Sequence, residues 1–341
     1  MDNAKCYAKV CSKIGLALIL FYSFFNLSIA AVAVLLEGFG EIGNKLAMDI
    51  IAEILSAIVY FFSFAAAAFI LRKMCKKLPS HKPIYTSFNI KKWVLPAIIA
   101  IIAINFTLSF INSIMISSLS PSFAISLSST TNEIASKPMA ERIIFFFLSV
   151  ISVGVVPAIC EEYLFRGGVL TELLPFGKTT AILASSFLFG IMHQNPFQFL
   201  YTIVMGVAIG YVYVKSKSIW ACVLLHFLNN FVTVLEDYLP FLTNLWWITY
   251  ALDVLIFIAG AILIIVLLKK KDKEPSVEEN GCFGVICERG MDSEELELEL
   301  PKGEKLKKFF SRTIIIYIVV CMISIVTVII SYFGGLSFLP F

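Results

Sequence analysis

IIFFFLSVISVGVVPAICEEYLFR, residues 143–166, runs without a charge from Ile143 to Cys160 and then sets two carboxylates and a guanidinium against the apolar block. An ionisable group in hydrocarbon costs about 2.5–3.5 kcal/mol on insertion scales, so such groups face a protected interior and serve a function. Glu161 and Glu162, with Arg166 beside them, are therefore candidates for a functional site at the end of a membrane span. The chain has 3 histidines, and two of them, His193 and His226, also sit on apolar segments. Carboxylates and imidazoles placed within spans point to acid–base chemistry inside a membrane.

Composition agrees. The chain has 341 residues, of which 59% are hydrophobic and 15% charged, whereas a soluble domain carries about a quarter charged residues. The deficit falls in blocks near the roughly 20 residues needed to cross a bilayer: 14–36, 47–71, 93–117, 142–164, 179–195, 197–214, 219–236, 245–268 and 312–333. The expected fold is all-α, a polytopic transmembrane helical bundle of 8–9 helices. Lys and Arg cluster before the first block, at 72–92 between the second and third, at Lys178, at 215–217 and at 269–273, while 118–141 and 237–244 are nearly free of them. If every block crosses, all the basic loops share one side. That side is the cytoplasm by the positive-inside rule. The N-terminus is then cytoplasmic and the C-terminus outside. Arg166 is counted here with the loop between the fourth and fifth spans.

The lipid bilayer is the expected surrounding, and no nucleic-acid partner is expected, because the net charge of +3 reflects topology. The 8 cysteines do not form a disulfide framework, since they fall in spans or in segments placed in a reducing compartment. Cys282 and Cys287 lack the second Cys/His pair of a structural zinc site. No cleavable signal peptide is evident. Residues 269–310 are hydrophilic and read chiefly as a solvated linker. The alternation Glu295-Leu296-Glu297-Leu298-Glu299-Leu300 within them suggests a short strand or an extended binding segment.

Three polar motifs follow in order: Glu161-Glu162 with Arg166, Phe189-x-x-x-His193, and His226-x-x-x-Asn230. The last places an imidazole and a carboxamide one turn apart on one helix face. Gly154, Gly167, Gly168, Ala184, Ser185, Ser186 and Gly190 lie around them, and small residues let membrane helices approach closely. Gly177 is the midpoint between 161 and 193, so a hairpin turning there brings Glu161 and His193 to matching depth. His226 begins roughly 12 Å beyond Ser218 along a helix at about 1.5 Å per residue, which permits the same layer.

Such a set suits hydrolysis. A carboxylate and an imidazole, Glu161 and His193, hold and deprotonate a water, while His226 and Asn230 donate to the oxyanion of a tetrahedral intermediate. Adjacent carboxylates point about 100° apart on a helix, so Glu161 is assigned to catalysis and Glu162 to support. Arg166, one turn on, fixes Glu162. Phe189 packs near the site.

E-E-x-x-x-R, F-x-x-x-H and H-x-x-x-N in this order resemble the CAAX protease and bacteriocin-processing enzyme family, which includes the type II CAAX prenyl endopeptidases. The resemblance covers about 141–232. It implies an intramembrane glutamic endopeptidase with Glu161 and His193 activating water, His226 and Asn230 forming the oxyanion site, and no metal or other cofactor. On this reading 141–232 is the catalytic core, preceded by helices and loops at 1–140. A further helix region at 233–268, the charged cytoplasmic loop 269–310 and a C-terminal helix at 311–341 follow. The family core usually has eight helices, so the last helix and its acidic loop depart from it. The implied substrate is a peptide or protein, lipidated or a precursor peptide, and the implied place a bacterial plasma membrane.

Two alternatives stand beside this. One keeps the protease and adds zinc on Glu161, His193 and His226, since two histidines and a carboxylate are a catalytic zinc set. The other is a non-catalytic immunity or scaffold protein that uses the same cavity for binding. A proton-coupled transporter using Glu53, Glu161 or Asp253 is disfavoured by the lack of internal repeats. Glu53 and Asp253 lie in apolar runs without an evident base, and His81 reads as a solvated residue of a basic loop. Asn229 reads as an interhelical clamp.

Overall fold

The computed structural model describes residues 2–39, 44–88, 136–238 and 300–333, with single positions between them. The blocks 93–117 and 245–268, Asp253, and Cys282 and Cys287 lie essentially outside the described residues. The elements are α1 (Asn3–Phe39), α2 (Lys45–Cys75), α3 (Met139–Phe176), α4 (Lys178–Met192), α5 (Pro196–Ser216), α6 (Ile219–Tyr238), α7 (Lys302–Phe309) and α8 (Arg312–Phe333). Every regular element among the described residues is helical; the one extended pairing is an isolated bridge between Thr86 and Ser218. Among the described residues six helices are long and apolar enough to cross a membrane. In lipid each backbone polar group must be satisfied within its own segment, which a helix does and an isolated strand cannot. The all-α bundle expected from the sequence is what the chain forms.

Two boundaries differ from the expected ones. The fourth block extends well past 164, continuing as α3 to Phe176. The fifth is short: α4 has 15 residues, about 22 Å at 1.5 Å per residue, less than the roughly 30 Å hydrocarbon core. Its last turn therefore ends within the thickness of the bundle, and His193 sits at that end. Gly177 makes the turn before it, with φ 121°, a conformation that a Cβ disfavours.

α3 is continuous but uneven, with wide π-type turns at Val150–Val155 and Tyr163–Leu170 on either side of a regular stretch, Val156–Glu162. Pro157 explains the first. It has no N–H for the carbonyl of Val153 and its ring crowds that carbonyl, so the turn widens and the Val156 N–H bonds Ile151 O instead. The carbonyl left over at Val153 accepts from Asn230 Nδ2 on α6 at 2.9 Å. In the second wide turn Thr171 Oγ1 donates to Arg166 O at 2.7 Å.

Helices pack where side chains are small, as expected without a hydrophobic drive between them. A Cβ on Gly206 of α5 would stand 2.9 Å from Ser186 of α4, and one on Gly15 of α1 would stand 2.4 Å from the backbone of Ile314 in α8. α8 runs parallel to α1 along this seam, held by Thr313 Oγ1 donating to Ser12 O at 2.8 Å and by Tyr22 with Ser324 at 2.8 Å. α1 and α2 are antiparallel, with Lys13 Nζ donating to Met74 O.

The basic segments gather at one end of the bundle. Ile219 N–H donates to Tyr85 O at 2.8 Å, Tyr213 Oη accepts from Tyr85 N–H at 3.0 Å, and Cys6 approaches Ser80 at 3.4 Å. Part of the 269–310 segment belongs to this end as well. Leu298 N–H donates to Pro175 O at 2.7 Å, and Leu300 and Phe309 are buried. Within the alternating stretch, Leu298 is thus held at the α3–α4 turn.

His81 differs from expectation too. It is partly buried, with Nδ1 2.7 Å from Glu172 Oε1. Arg72 pairs with the same oxygen and donates through Nη2 to Lys82 O at 2.5 Å. Arg166, counted above with the loops, is 1% exposed inside α3, because Glu162 one turn earlier compensates its charge there.

Candidate active site

Four helices, α3 to α6, surround one cavity of about 260 Å³, lined by Glu161, Phe189, His193, His226, Asn230 and Tyr201 among others. The α3–α4 hairpin and the short α4 set the depth of His193, while the regular stretch Val156–Glu162 presents Glu161. Glu161 is 4% exposed. Its Oε1 accepts from the Tyr60 hydroxyl of α2. Its Oε2 is buried without a hydrogen-bond partner and lies 3.9 Å from His226 Nε2. That oxygen is the free basic atom of the site.

Glu162, fully buried, points the other way, as the 100° step between neighbours requires. Its Oε1 accepts from Arg166 Nη1 at 2.9 Å and from His226 Nδ1 at 2.8 Å. A buried ion pair stands only when the geometry is good and further hydrogen bonds complete it; here Arg166 Nη2 also donates to Gly206 O at 3.2 Å. The guanidinium lies 4.7 Å from the centre of the Phe189 ring, a cation–π contact. Phe189 packs edge-on against His193 at 4.8 Å and against His226 at 6.1 Å, so one ring spaces both imidazoles and the arginine.

Hydrogen bonding fixes the orientation of each imidazole. His193 Nδ1 is 2.9 Å from Phe189 O; a carbonyl only accepts, so Nδ1 carries the proton and Nε2 of the neutral ring is an acceptor. His226 Nδ1 donates to the Glu162 carboxylate, which turns Nε2 towards Glu161. When that nitrogen is also protonated it becomes a donor facing the cavity. The wall therefore holds two acceptors, Glu161 Oε2 and His193 Nε2, and one orientable donor, His226 Nε2.

Asn230 lines the same cavity, with one amide hydrogen committed to Val153 O. Asn229 spans helices as the sequence suggests, its Nδ2 donating to Tyr201 Oη of α5 at 2.8 Å and to Asn230 Oδ1 at 3.2 Å. Among the described residues no group of three or more His, Cys, Asp or Glu side chains is arranged to hold a metal. Glu53 accepts from Ser152 of α3, away from this cavity.

Sequence reasoning passed over Tyr60, Tyr201 and Glu172. A tyrosine hydroxyl within an apolar span needs a partner, and that was the available signal for Tyr60 and Tyr201; it is weak among 12 tyrosines. The partner of Glu172 is Arg72, 100 positions away, and no local spacing reveals it.

Residues 143–232 match the family model described as Type II CAAX prenyl endopeptidase Rce1-like. The match falls on the motifs and agrees with the resemblance they carry. No curated protein and no solved structure shows significant similarity to the chain. The apolar helices and the family match together point to an integral membrane protein.

Proposed function

We propose that the chain is an intramembrane glutamic endopeptidase that hydrolyses a peptide bond near the cytoplasmic face. The observation that carries the reading is the buried, unpartnered Glu161 Oε2 facing His226 Nε2 across 3.9 Å in a cavity that His193 also lines. Glu161 and His193 bind a water between two acceptors, and Glu161 takes its proton as general base. The water oxygen bonds to the substrate carbonyl carbon, and the carbonyl π electrons pass to oxygen. His226, protonated on Nε2, and Asn230 belong to the wall that receives this oxyanion. The intermediate collapses with cleavage of the C–N bond, and the proton held by Glu161 goes to the leaving amine. Glu162 and Arg166 hold His226 in orientation, and Phe189 spaces the rings.

The substrate is a peptide or protein, lipidated or a precursor peptide, reaching the cavity from the bilayer. The basic end is placed in the cytoplasm of a bacterial cell, with the N-terminus on that side.

The test is proteolysis of quenched peptide libraries, prenylated and plain, by detergent-purified wild type and Glu161→Ala, each with and without chelator. Cleavage by wild type alone, insensitive to chelation, is the expected result. Cleavage retained by Glu161→Ala would sink the reading. Loss on chelation with rescue by zinc would transfer the chemistry to a metal. Protection or partner capture in cells that survives Glu161→Gln would favour a binding protein.

A further inference from the structure

The carboxamide of Asn230 has a fixed direction, and the direction propagates. Val153 O is an acceptor only, so the Asn230 atom 2.9 Å from it is Nδ2. Asn230 Oδ1 therefore faces Asn229, and the Asn229 atom 3.2 Å away must be a donor, Nδ2. That same nitrogen lies 2.8 Å from Tyr201 Oη, so the hydroxyl oxygen accepts a hydrogen there. A tyrosine hydroxyl has a single proton. With its oxygen already accepting from Asn229, that proton points elsewhere, and Tyr201 lines the cavity that holds Glu161, His193 and His226.

We infer that in the wall formed by His226 and Asn230 the second oxyanion donor is the Tyr201 hydroxyl rather than the Asn230 amide, and that Asn229 and Asn230 are positioning residues that aim it. This deepens the endopeptidase reading and rests on it. The relay begins at the backbone gap opened by Pro157: the carbonyl that loses its helical partner orients Asn230, Asn230 orients Asn229, and Asn229 orients Tyr201. Donors preorganised by fixed dipoles cost no reorganisation when charge develops on the substrate oxygen. The arrangement also gives the donor pair two origins, His226 on α6 and Tyr201 on α5. Tyr201 lies within the segment that matches the Rce1-like family model, yet it belongs to none of the three polar motifs.

The test uses the most rapidly cleaved peptide of the library with full-length protein in detergent. Tyr201→Phe keeps the ring and removes the donor; kcat should fall about 100-fold, as for loss of one oxyanion donor, with KM and thermal unfolding unchanged. Asn230→Ala should also lower kcat. The double variant should fall no further than the worse single variant, because both act through one hydroxyl. Unchanged kcat in Tyr201→Phe, or effects that multiply in the double variant, would overturn the inference.

A readout independent of turnover is an experimental structure of Glu161→Gln protein with waters resolved. The Tyr201 hydroxyl should donate to a cavity water and accept from Asn229. A hydroxyl donating instead to a protein carbonyl overturns the inference whatever the kinetics. A protein that cleaves no peptide while its hydroxyl faces the cavity water refutes the endopeptidase reading and the oxyanion role with it, and leaves the relay standing.

Discussion

Two buried assemblies in this molecule use the same three residue types. Both are built on a glutamate of α3 whose Oε1 is shared by an arginine and a histidine: Glu162 with Arg166 and His226, and Glu172 with Arg72 and His81. In both, the second carboxylate oxygen is buried without a hydrogen-bond partner. They part at the far side of the imidazole. His226 Nε2 faces the free oxygen of Glu161 across the cavity, whereas His81 Nε2 faces Arg72 Nη2 at 3.4 Å, and Arg72 itself is tied to Lys82 O. One chain of charges opens onto the cavity. The other closes on itself and staples the 76–88 segment to the end of α3. A Glu/Arg/His trio is therefore not a site in itself; the next neighbour along decides.

The widest separation between the two should appear in turnover. His226→Ala is expected to lower kcat by at least about 100-fold, the scale of one lost oxyanion donor, while His81→Ala leaves it within about twofold. Steady-state kinetics on one peptide checks both, and equal losses would mean that the two assemblies are coupled after all. Stability comes next. Arg166→Ala strands Glu162 where both side chains are at most 1% exposed, and breaking such a pair costs about 3–5 kcal/mol. Arg72 is 18% exposed, so water compensates part of its loss, and Arg72→Ala should cost about 1–3 kcal/mol. Thermal unfolding in detergent reads the difference, and a reversed order would break the comparison.

How much of this could be read beforehand follows from the same pair. Glu162 and Arg166 are four apart, and a helix makes such positions neighbours, so that pair of the open assembly is legible in the chain, whereas the bond from His226, 64 positions away, is not. Arg72 and Glu172 meet only because α2 and α3 end together, and the sequence offered no sign of it; His81 was accordingly taken for a solvated residue. The order of the motifs placed Glu161, His193 and His226 in one layer, and the Gly177 turn was legible from the midpoint. Tyr60 and Tyr201 were hidden because their partners come from other helices. The block 179–195 runs past α4 by three residues, His193 to Asn195, because no glycine or proline stands between Met192 and Pro196 to mark the helix end.

Smaller effects sharpen the picture within the open assembly. Tyr60→Phe preserves the stacking on Phe64, at 4.5 Å, but removes the donor to Glu161 Oε1. A hydrogen bond to a charged group contributes about 1.5–3 kcal/mol, and about 1.4 kcal/mol is tenfold in rate; kcat should fall roughly tenfold with KM unchanged. A fall confined to KM would place Tyr60 in substrate binding. The smallest change is Gly177→Ala, which strains a backbone at φ 121° by about 1–3 kcal/mol. It should lower the unfolding temperature by a few degrees and reduce kcat less than Tyr60→Phe, since His193 moves only as the hairpin does.

The seam between α1 and α8 has a consequence for how the protein is made. Thr313 and Ser12 touch although 301 positions separate them, and translation at about 5–20 residues per second puts roughly 15–60 s between their appearances. Throughout that interval α1 is in the bilayer with its Gly15 face uncovered, open to lipid, to other nascent helices or to a membrane chaperone. Assembly of this bundle closes with a late arrival sealing an early one, and a ribosome that stalls in between leaves the first helix without its mate.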